Sequence, residues 1–141
     1  MTALYVETSA LLAWLFGEPD AGAVRKAIDR ADPVVTSVLT ETEAERAIVR
    51  AEHAGVLNAR EAQAARGALR RVLSGWMAME ITSTVRTRAA KGFPAEPVRT
   101  LDAIHLATAL EFALVFPAIS LLSHDQRILA NAESLGLAPA R

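Results

Sequence analysis

The chain has 141 residues, the size of one domain, of which 52% are hydrophobic and 22% charged. That is enough apolar material for a sizeable core, so the composition excludes a disordered chain. The 15 Lys+Arg against 16 Asp+Glu give a formal net charge of −1, which argues against bulk electrostatic binding of nucleic acid but leaves room for a local basic groove.

There are no cysteines, so a disulfide framework, a thiolate zinc site and a catalytic cysteine are all excluded, and a reducing, cytoplasmic setting is expected. The first residues carry no basic segment, and Glu7 interrupts any early apolar run, so no signal peptide is expected. The longest uncharged stretch, Phe112 to His124, is too short to cross a bilayer and contains Pro117. The basic residues are nearly all arginine, the better bidentate ligand for phosphate; only Lys26 and Lys91 are lysines.

The first expected strand is Ala3–Val6, followed by a short helix over Thr8–Phe16 and, past Pro19, a second over Asp20–Arg30. Pro33–Thr36 reads as a strand, and Leu39–His53 as a helix ended by Gly55. Asn58 suits an N-cap for a fourth helix that reaches about Leu73 and stops at Gly75. Trp76–Met79 is the third β-type run, and Ser83 or Thr84 starts a fifth helix that stops at Gly92. Leu101–Val115 is a sixth helix, with Thr100 as its expected N-cap, and Pro117 stops it. Ile119–Leu122 is the fourth strand and Asp125–Leu135 the last helix, stopped by Gly136. The pattern leaves open whether Gly136 to Arg141 adds a final strand. Strands alternating with helices mean a largely parallel sheet covered by helices, in one domain over 1–141. In such sheets the working groups gather beyond the carboxyl ends of the strands.

Four acids fall at such places. Glu7 directly follows the first strand, where it reads equally as a site acid or as a charge near a helix start that Thr8 or Ser9 caps. Glu43 lies on the edge of the third helix's apolar stripe, formed by Ala44, Ala47, Ile48, Ala51 and Ala54, whereas Glu41, Glu45 and Glu52 fall on the opposite face. A half-buried carboxylate needs a reason: a site, or an ion pair with Arg46 or Arg50. Asp102 begins a helix that is apolar nearly all round and is expected to be buried, with Asp102, His105 and Thr108 recurring at every third residue. Burial of an ionised Asp is offset either by the helix N-terminus or by a metal ion. Asp125 follows the fourth strand and reads as a helix cap or a site acid. His105 reads as a satisfied core histidine, with a hydrogen bond near Asp102 as the alternative, and His124 as a loop side chain.

Gathered together, such acids repel, and a hard divalent cation removes that penalty. Mg²⁺ or Mn²⁺ on oxygen ligands would activate water and neutralise a phosphodiester. There is no Gly-rich phosphate loop, no Ser-His-Asp arrangement and no H-E-x-x-H.

The pieces Tyr5-Val-Glu7-Thr8-Ser9-Ala10-Leu, Ser37-(five residues)-Glu43, Leu101-Asp102-Ala103-Ile104-His105-Leu106-Ala107-Thr108-Ala109 and Ser123-His124-Asp125 resemble, in order, the signature of PIN-domain nucleases. They are most similar to the VapC-type toxins of bacterial toxin–antitoxin pairs, over almost the whole chain. The resemblance implies a three-layer α/β/α fold with a central parallel sheet of about five strands. It also implies endonucleolytic cleavage of RNA with Mg²⁺ or Mn²⁺, 5′-phosphate and 3′-hydroxyl products, a homodimer and a small cognate antitoxin. By position, Glu7, Glu43, Asp102 and Asp125 match the family's four acids. Glu7 and Asp102 would be the main metal ligands, Asp125 and Glu43 would complete the site or hold waters, and Thr8, Ser9 and Ser123 would stand behind them. Arg46, Arg50, Arg86 and Arg88 are candidates to grip RNA phosphates, or else solvated surface charge.

In one respect the sequence departs from the family: its first acid is usually Asp, and here it is Glu7. The extra methylene moves the carboxylate, which keeps alive the reading of a catalytically weak or silent module that binds RNA or a partner. A phosphate-receiving regulatory domain also places acids at strand ends. It needs a lysine near a late strand end, and neither Lys26 nor Lys91 is placed for that.

Overall fold

Leu4-Tyr-Val6 is a run of three apolar residues without alternation, the pattern of a strand covered on both faces. In the computed structural model, which describes residues 1–140, that run is the middle of the sheet. The strands are β1 (Leu4–Val6), β2 (Val34–Ser37), β3 (Met77–Met79), β4 (Ser120–Leu122) and β5 (Ala138–Pro139). They lie in the order β3-β2-β1-β4-β5, and every pairing is parallel. Leu4 aligns with Val34 on one side and Ser120 on the other. The helices are α1 (Thr8–Leu15), α2 (Ala21–Asp29), α3 (Val38–His53), α4 (Ala59–Leu73), α5 (Ser83–Ala89), α6 (Thr100–Val115) and α7 (Gln126–Ala132). The expected three-layer α/β/α architecture with a five-stranded parallel sheet is therefore observed.

Side chains alternate across a strand, so the sheet divides the core in two. Tyr5, Val35 and Leu121 pack with Leu106 and Phe112 of α6 and Ile128 of α7. Leu4, Val6, Val34 and Leu122 pack with Leu11 of α1, Ile48 of α3 and Leu69 of α4. The even spread of apolar residues around α6 has its reason here: eight of its residues are buried, Asp102 and His105 among them.

Helix starts follow the expected chemistry in part. Asn58 and Glu61 form a reciprocal capping box at α4. Glu7 itself, not Thr8 or Ser9, caps α1 by accepting from Ser9 N at 3.1 Å. Thr100 does not cap α6; Arg99 occupies that position and its side chain makes no cap bond. The first turn of α6 thus lacks a capping oxygen, and Asp102 is the acid nearest its free N–H groups. The tail left open by the sequence does add a strand: Ala138 and Pro139 pair with Ser120 and Leu121. Proline is tolerated there because β5 is an edge.

The topology matters for function at one point. The chain builds outward from β1 through β2 to β3, then returns to lay β4 on the other side of β1. The β1/β4 boundary is where the strand order reverses, which is where open parallel sheets bind ligands. Glu7 N donates to Leu122 O at 2.9 Å, so the β1–β4 pairing runs right up to the first acid.

Candidate active site

Glu7, Glu43, Asp102 and Asp125 line one cleft of about 420 Å³, together with Thr8, Ser9, Leu12, Arg50, Arg99, Thr100 and Leu101. Four segments separated by 36, 59 and 23 positions in sequence thus converge at the carboxyl end of the central strands.

Glu7 is only 5% exposed. Its Oε1 accepts from Ser123 Oγ at 2.6 Å and from Ser9 Oγ, while Oε2 accepts from Ser9 N. The two serines also join the loops: Ser9 Oγ accepts from His124 N at 2.8 Å and Ser123 Oγ from Asp125 N at 3.0 Å. Asp125 caps α7 by accepting from Arg127 N at 2.8 Å. Glu7 and Asp125 therefore each start a helix and each line the cleft.

Glu43 is half-buried on α3. Its expected ion pair with Arg46 or Arg50 does not form; Oε1 instead accepts from Thr8 Oγ1 at 2.5 Å and from His105 Nε2 at 2.6 Å. The other ring nitrogen of His105, Nδ1, is 2.8 Å from the Tyr5 hydroxyl. Burial pushes Glu43 up, but the hydrogen bonds from His105 and Thr8, with the charge of Arg50, outweigh it and hold the carboxyl below the usual glutamate range. Burial, then the charges of Glu7 and Glu43, push the Tyr5 phenol well above its usual value, so it stays neutral.

Asp102 has the opposite surroundings. It is 8% exposed, and Oδ2 is buried with no hydrogen-bond partner among the described residues. Burial and the charges of Asp125 and Glu7 raise its pKa, against the lowering effect of Arg99 and His105. Arg99 Nε lies 3.7 Å from Oδ2, but its side chain is 68% exposed. An ion pair with an exposed partner is worth roughly 0.2–1 kcal/mol. A buried acceptor left unpaired costs about 1–3 kcal/mol, and more when charged. Arg99 therefore offsets little of that cost, the first turn of α6 offsets part of it, and the negative charge left over suits a cation.

The donor set is all carboxylate oxygen, which suits a hard divalent ion. Among the described residues, no three His, Asp or Glu side chains already close on one point as a finished ligand set. All four acids line the cleft, and a hard ion that keeps several waters needs only one or two of them as direct ligands.

A PIN-domain family model matches residues 4–134. The chain belongs to the PIN-domain family. It is 35% identical over 137 residues to "Ribonuclease VapC35" of Mycobacterium tuberculosis, covering 96% of this chain and 93% of the relative. It is 32% identical over 138 residues to "Ribonuclease VapC46" of the same species, covering 98% and 96%. A solved structure titled "Toxin-antitoxin complex from Klebsiella pneumoniae" matches with a TM-score of 0.65 over 97% of this chain and 96% of that one, at 20% identity, a likeness of fold.

Within this PIN domain, Thr8 is hydrogen-bonded to Glu43, and Ser9 and Ser123 to Glu7, both acids that line the cleft. Of the four arginines singled out, Arg50 lines the cleft. Arg46 is exposed outside it, Arg86 donates to Ile81 O at 2.7 Å, and Arg88 is taken by Glu111 at 2.8 Å. Arg99 lines the cleft and was not singled out; its signal was its place three residues before Asp102. His105 bonds to Glu43, not near Asp102. Thr108, which shared its spacing, donates to Ile104 O at 2.6 Å and stands against the Tyr5 hydroxyl, behind the cleft. His124 pairs with Asp20 at 3.2 Å, away from the cleft. Neither lysine lines the cleft, which leaves no support for a phosphate-receiving site.

Proposed function

We propose that this PIN domain is a metal-dependent endoribonuclease, the toxin of a toxin–antitoxin pair, that hydrolyses RNA phosphodiesters. One observation carries the reading: four acids from distant segments share a cleft, and the fold leaves a carboxylate oxygen of Asp102 buried and unpartnered. The ribonuclease names of the two curated relatives point to the same substrate class.

Glu7, Asp102 and Asp125 are the residues that would hold Mg²⁺ or Mn²⁺, and Glu43 would complete the site by holding the attacking water. What the ion would supply there is charge neutralisation at the phosphate and a lowered pKa of water. Glu43, held ionised at neutral pH, accepts the proton of the attacking water. The water oxygen bonds to phosphorus as the P–O3′ bond breaks, and the 3′-oxygen takes a proton from solvent, leaving a 5′-phosphate and a 3′-hydroxyl. Arg50 and Arg99, on α3 and at the start of α6, are the cleft's cations and grip flanking phosphates. A cognate antitoxin and a homodimer complete the proposal, as the resemblance to VapC-type toxins implies.

The test is cleavage of a pool of structured RNAs by antitoxin-free protein with Mn²⁺ or Mg²⁺, beside a chelator control and Asp102→Asn. Cleavage lost in both controls, with 5′-phosphate ends, supports the reading; cleavage that survives both sinks it.

A second reading has its own observation. Both oxygens of Glu7 are already engaged by Ser9 and Ser123. A carboxylate so occupied is a poorer ligand, which favours a weak or silent module that still binds RNA or a partner. Glu7→Asp separates the two readings: a gain of at least tenfold in cleavage supports a site disabled by the longer side chain.

A further inference from the structure

We propose that His105, locked by Tyr5, is a positioning residue that fixes which oxygen of Glu43 is presented to the cleft. The inference rests on the ribonuclease reading for its consequence, and on the geometry of three buried or half-buried groups for its substance.

His105 is 1% exposed and lies in the first turns of α6, where its ring spans the core between two elements. Nδ1 is 2.8 Å from the hydroxyl of Tyr5 on β1, and Nε2 is 2.6 Å from Oε1 of Glu43 on α3. An ionised carboxylate only accepts hydrogen bonds, so Nε2 must carry the proton that faces it. In a neutral ring Nδ1 is then an acceptor, and the Tyr5 hydroxyl donates to it. Tyr5 cannot drift, because it is fully buried in the middle strand. The ring is also held by packing: Tyr5 and His105 meet edge to face at 6.1 Å between centroids.

The consequence falls on Glu43. Thr8 and His105 both donate to the same oxygen, Oε1. Oε2 takes no hydrogen bond from the described residues, and Glu43 lines the cleft. The carboxylate is thereby oriented, with one oxygen tied to the core and the other left for a water proton. A glutamate side chain freed of this tether samples several rotamers, and loss of such orientation is what the partners of site ligands prevent, at a typical worth of 10–100-fold in activity.

The test combines two readouts. The chain has three histidines, so the ring nitrogens of His105 are readily assigned by nitrogen NMR of the metal-free protein. The expected result is a single tautomer protonated at Nε2, which becomes a mixture in Glu43→Ala. A ring protonated at Nδ1, or one unaffected by Glu43→Ala, overturns the inference whether or not the protein cleaves RNA. For the second readout, His105→Leu fills the space without a donor, His105→Gln keeps a donor near Nε2, and Tyr5→Phe removes only the hydroxyl. On RNA with Mn²⁺, His105→Leu should lower kcat about 10–100-fold with KM within about twofold. His105→Gln should recover at least half of that loss on a logarithmic scale, and Tyr5→Phe should fall between. A folded His105→Leu protein with wild-type kcat overturns the inference and leaves the ribonuclease reading intact. The expected NMR result with no cleavage by the wild type removes that reading and leaves the tether standing.

Discussion

Glu43 and Asp102 face one cleft from opposite walls, and the fold treats them in contrary ways. Around Glu43 the chain supplies donors from Thr8 and His105, and a tyrosine behind the histidine. Around Asp102 it supplies burial, two further negative charges and one loosely held arginine. The first wall is a finished polar network, of the kind that rigidifies when fully satisfied. The second leaves a buried carboxylate oxygen without a hydrogen bond. Under the proposed function the contrast would separate two jobs: a proton acceptor needs a fixed direction, whereas a metal ligand needs unpaired negative charge.

The sharpest way to break the contrast is Asp102→Asn. It should reduce RNA cleavage by more than about 100-fold, beyond what the supporting partners of ligands typically cost. Excess Mn²⁺ at about 100 times Kd should stabilise the wild type by about 2.7 kcal/mol, or roughly 8–10 °C in Tm for a chain of this size. The same variant should lose that shift, and its metal-free Tm should match or exceed the wild type's because an uncompensated charge has gone. A metal-free Tm well below wild type would mean that Asp102 is structural.

Glu43→Gln tests the other wall. Loss of a positioned proton acceptor should lower kcat about 10²–10⁴-fold, while the Mn²⁺ shift in Tm persists at least in part. If the shift vanishes as completely as in Asp102→Asn, the division of labour between the walls is wrong.

Arg50→Ala and Arg99→Ala should act on binding, raising KM several-fold and each reducing the salt slope of log K by about 0.7 per lost phosphate contact on single-stranded RNA. Arg99→Ala should also tighten Mn²⁺ binding, since it removes a competing cation from Asp102. Unchanged KM and salt slope in both variants would return these arginines to plain surface charge.

The smallest effect concerns pH. The lowered pKa of Glu43 contributes stability that is fully present above its ordinary unfolded value, near 4.3, and is lost as pH falls through the lower folded value. The raised pKa of Asp102 has the opposite sign: its cost is present at neutral pH and is relieved as pH falls through the raised value. Without metal, melts taken downward from neutral pH should therefore fall less in Glu43→Gln than in the wild type. The comparison fails if the two acid profiles superimpose.

Much of this was legible in the sequence, for identifiable reasons. An unbroken apolar run with Glu7 at its end, and an Asp set into a helix that is apolar nearly all round, are local patterns, and both led to acids that line one cleft. The parallel sheet followed from the alternation of strands and helices. What stayed hidden were contacts between distant residues. His105 and Glu43 are 62 positions apart and His105 and Tyr5 100 apart, and no spacing rule joins them. The helical period placed Glu43 toward the sheet but could not name its partner. The arginines divided the same way: Arg88 looked as available as Arg50 until Glu111 was found 2.8 Å away. The two-residue strand β5 was too short, and its Ala-Pro too weakly β-forming, to be decided from the chain alone.

Two of the site's acids also begin helices, Glu7 at α1 and Asp125 at α7, and a capping side chain is worth about 1 kcal/mol to a fold. Selection for a folded protein alone would keep those two. The fold supports Asp102 less: it has a place in the first turn of α6 and one exposed arginine, but no hydrogen bond to Oδ2. In a lineage that abandons catalysis, Asp102 should be the first of the four to mutate away. A descendant that retains acids at 7 and 125 but not at 102 would thus carry the outline of a nuclease without its history of use.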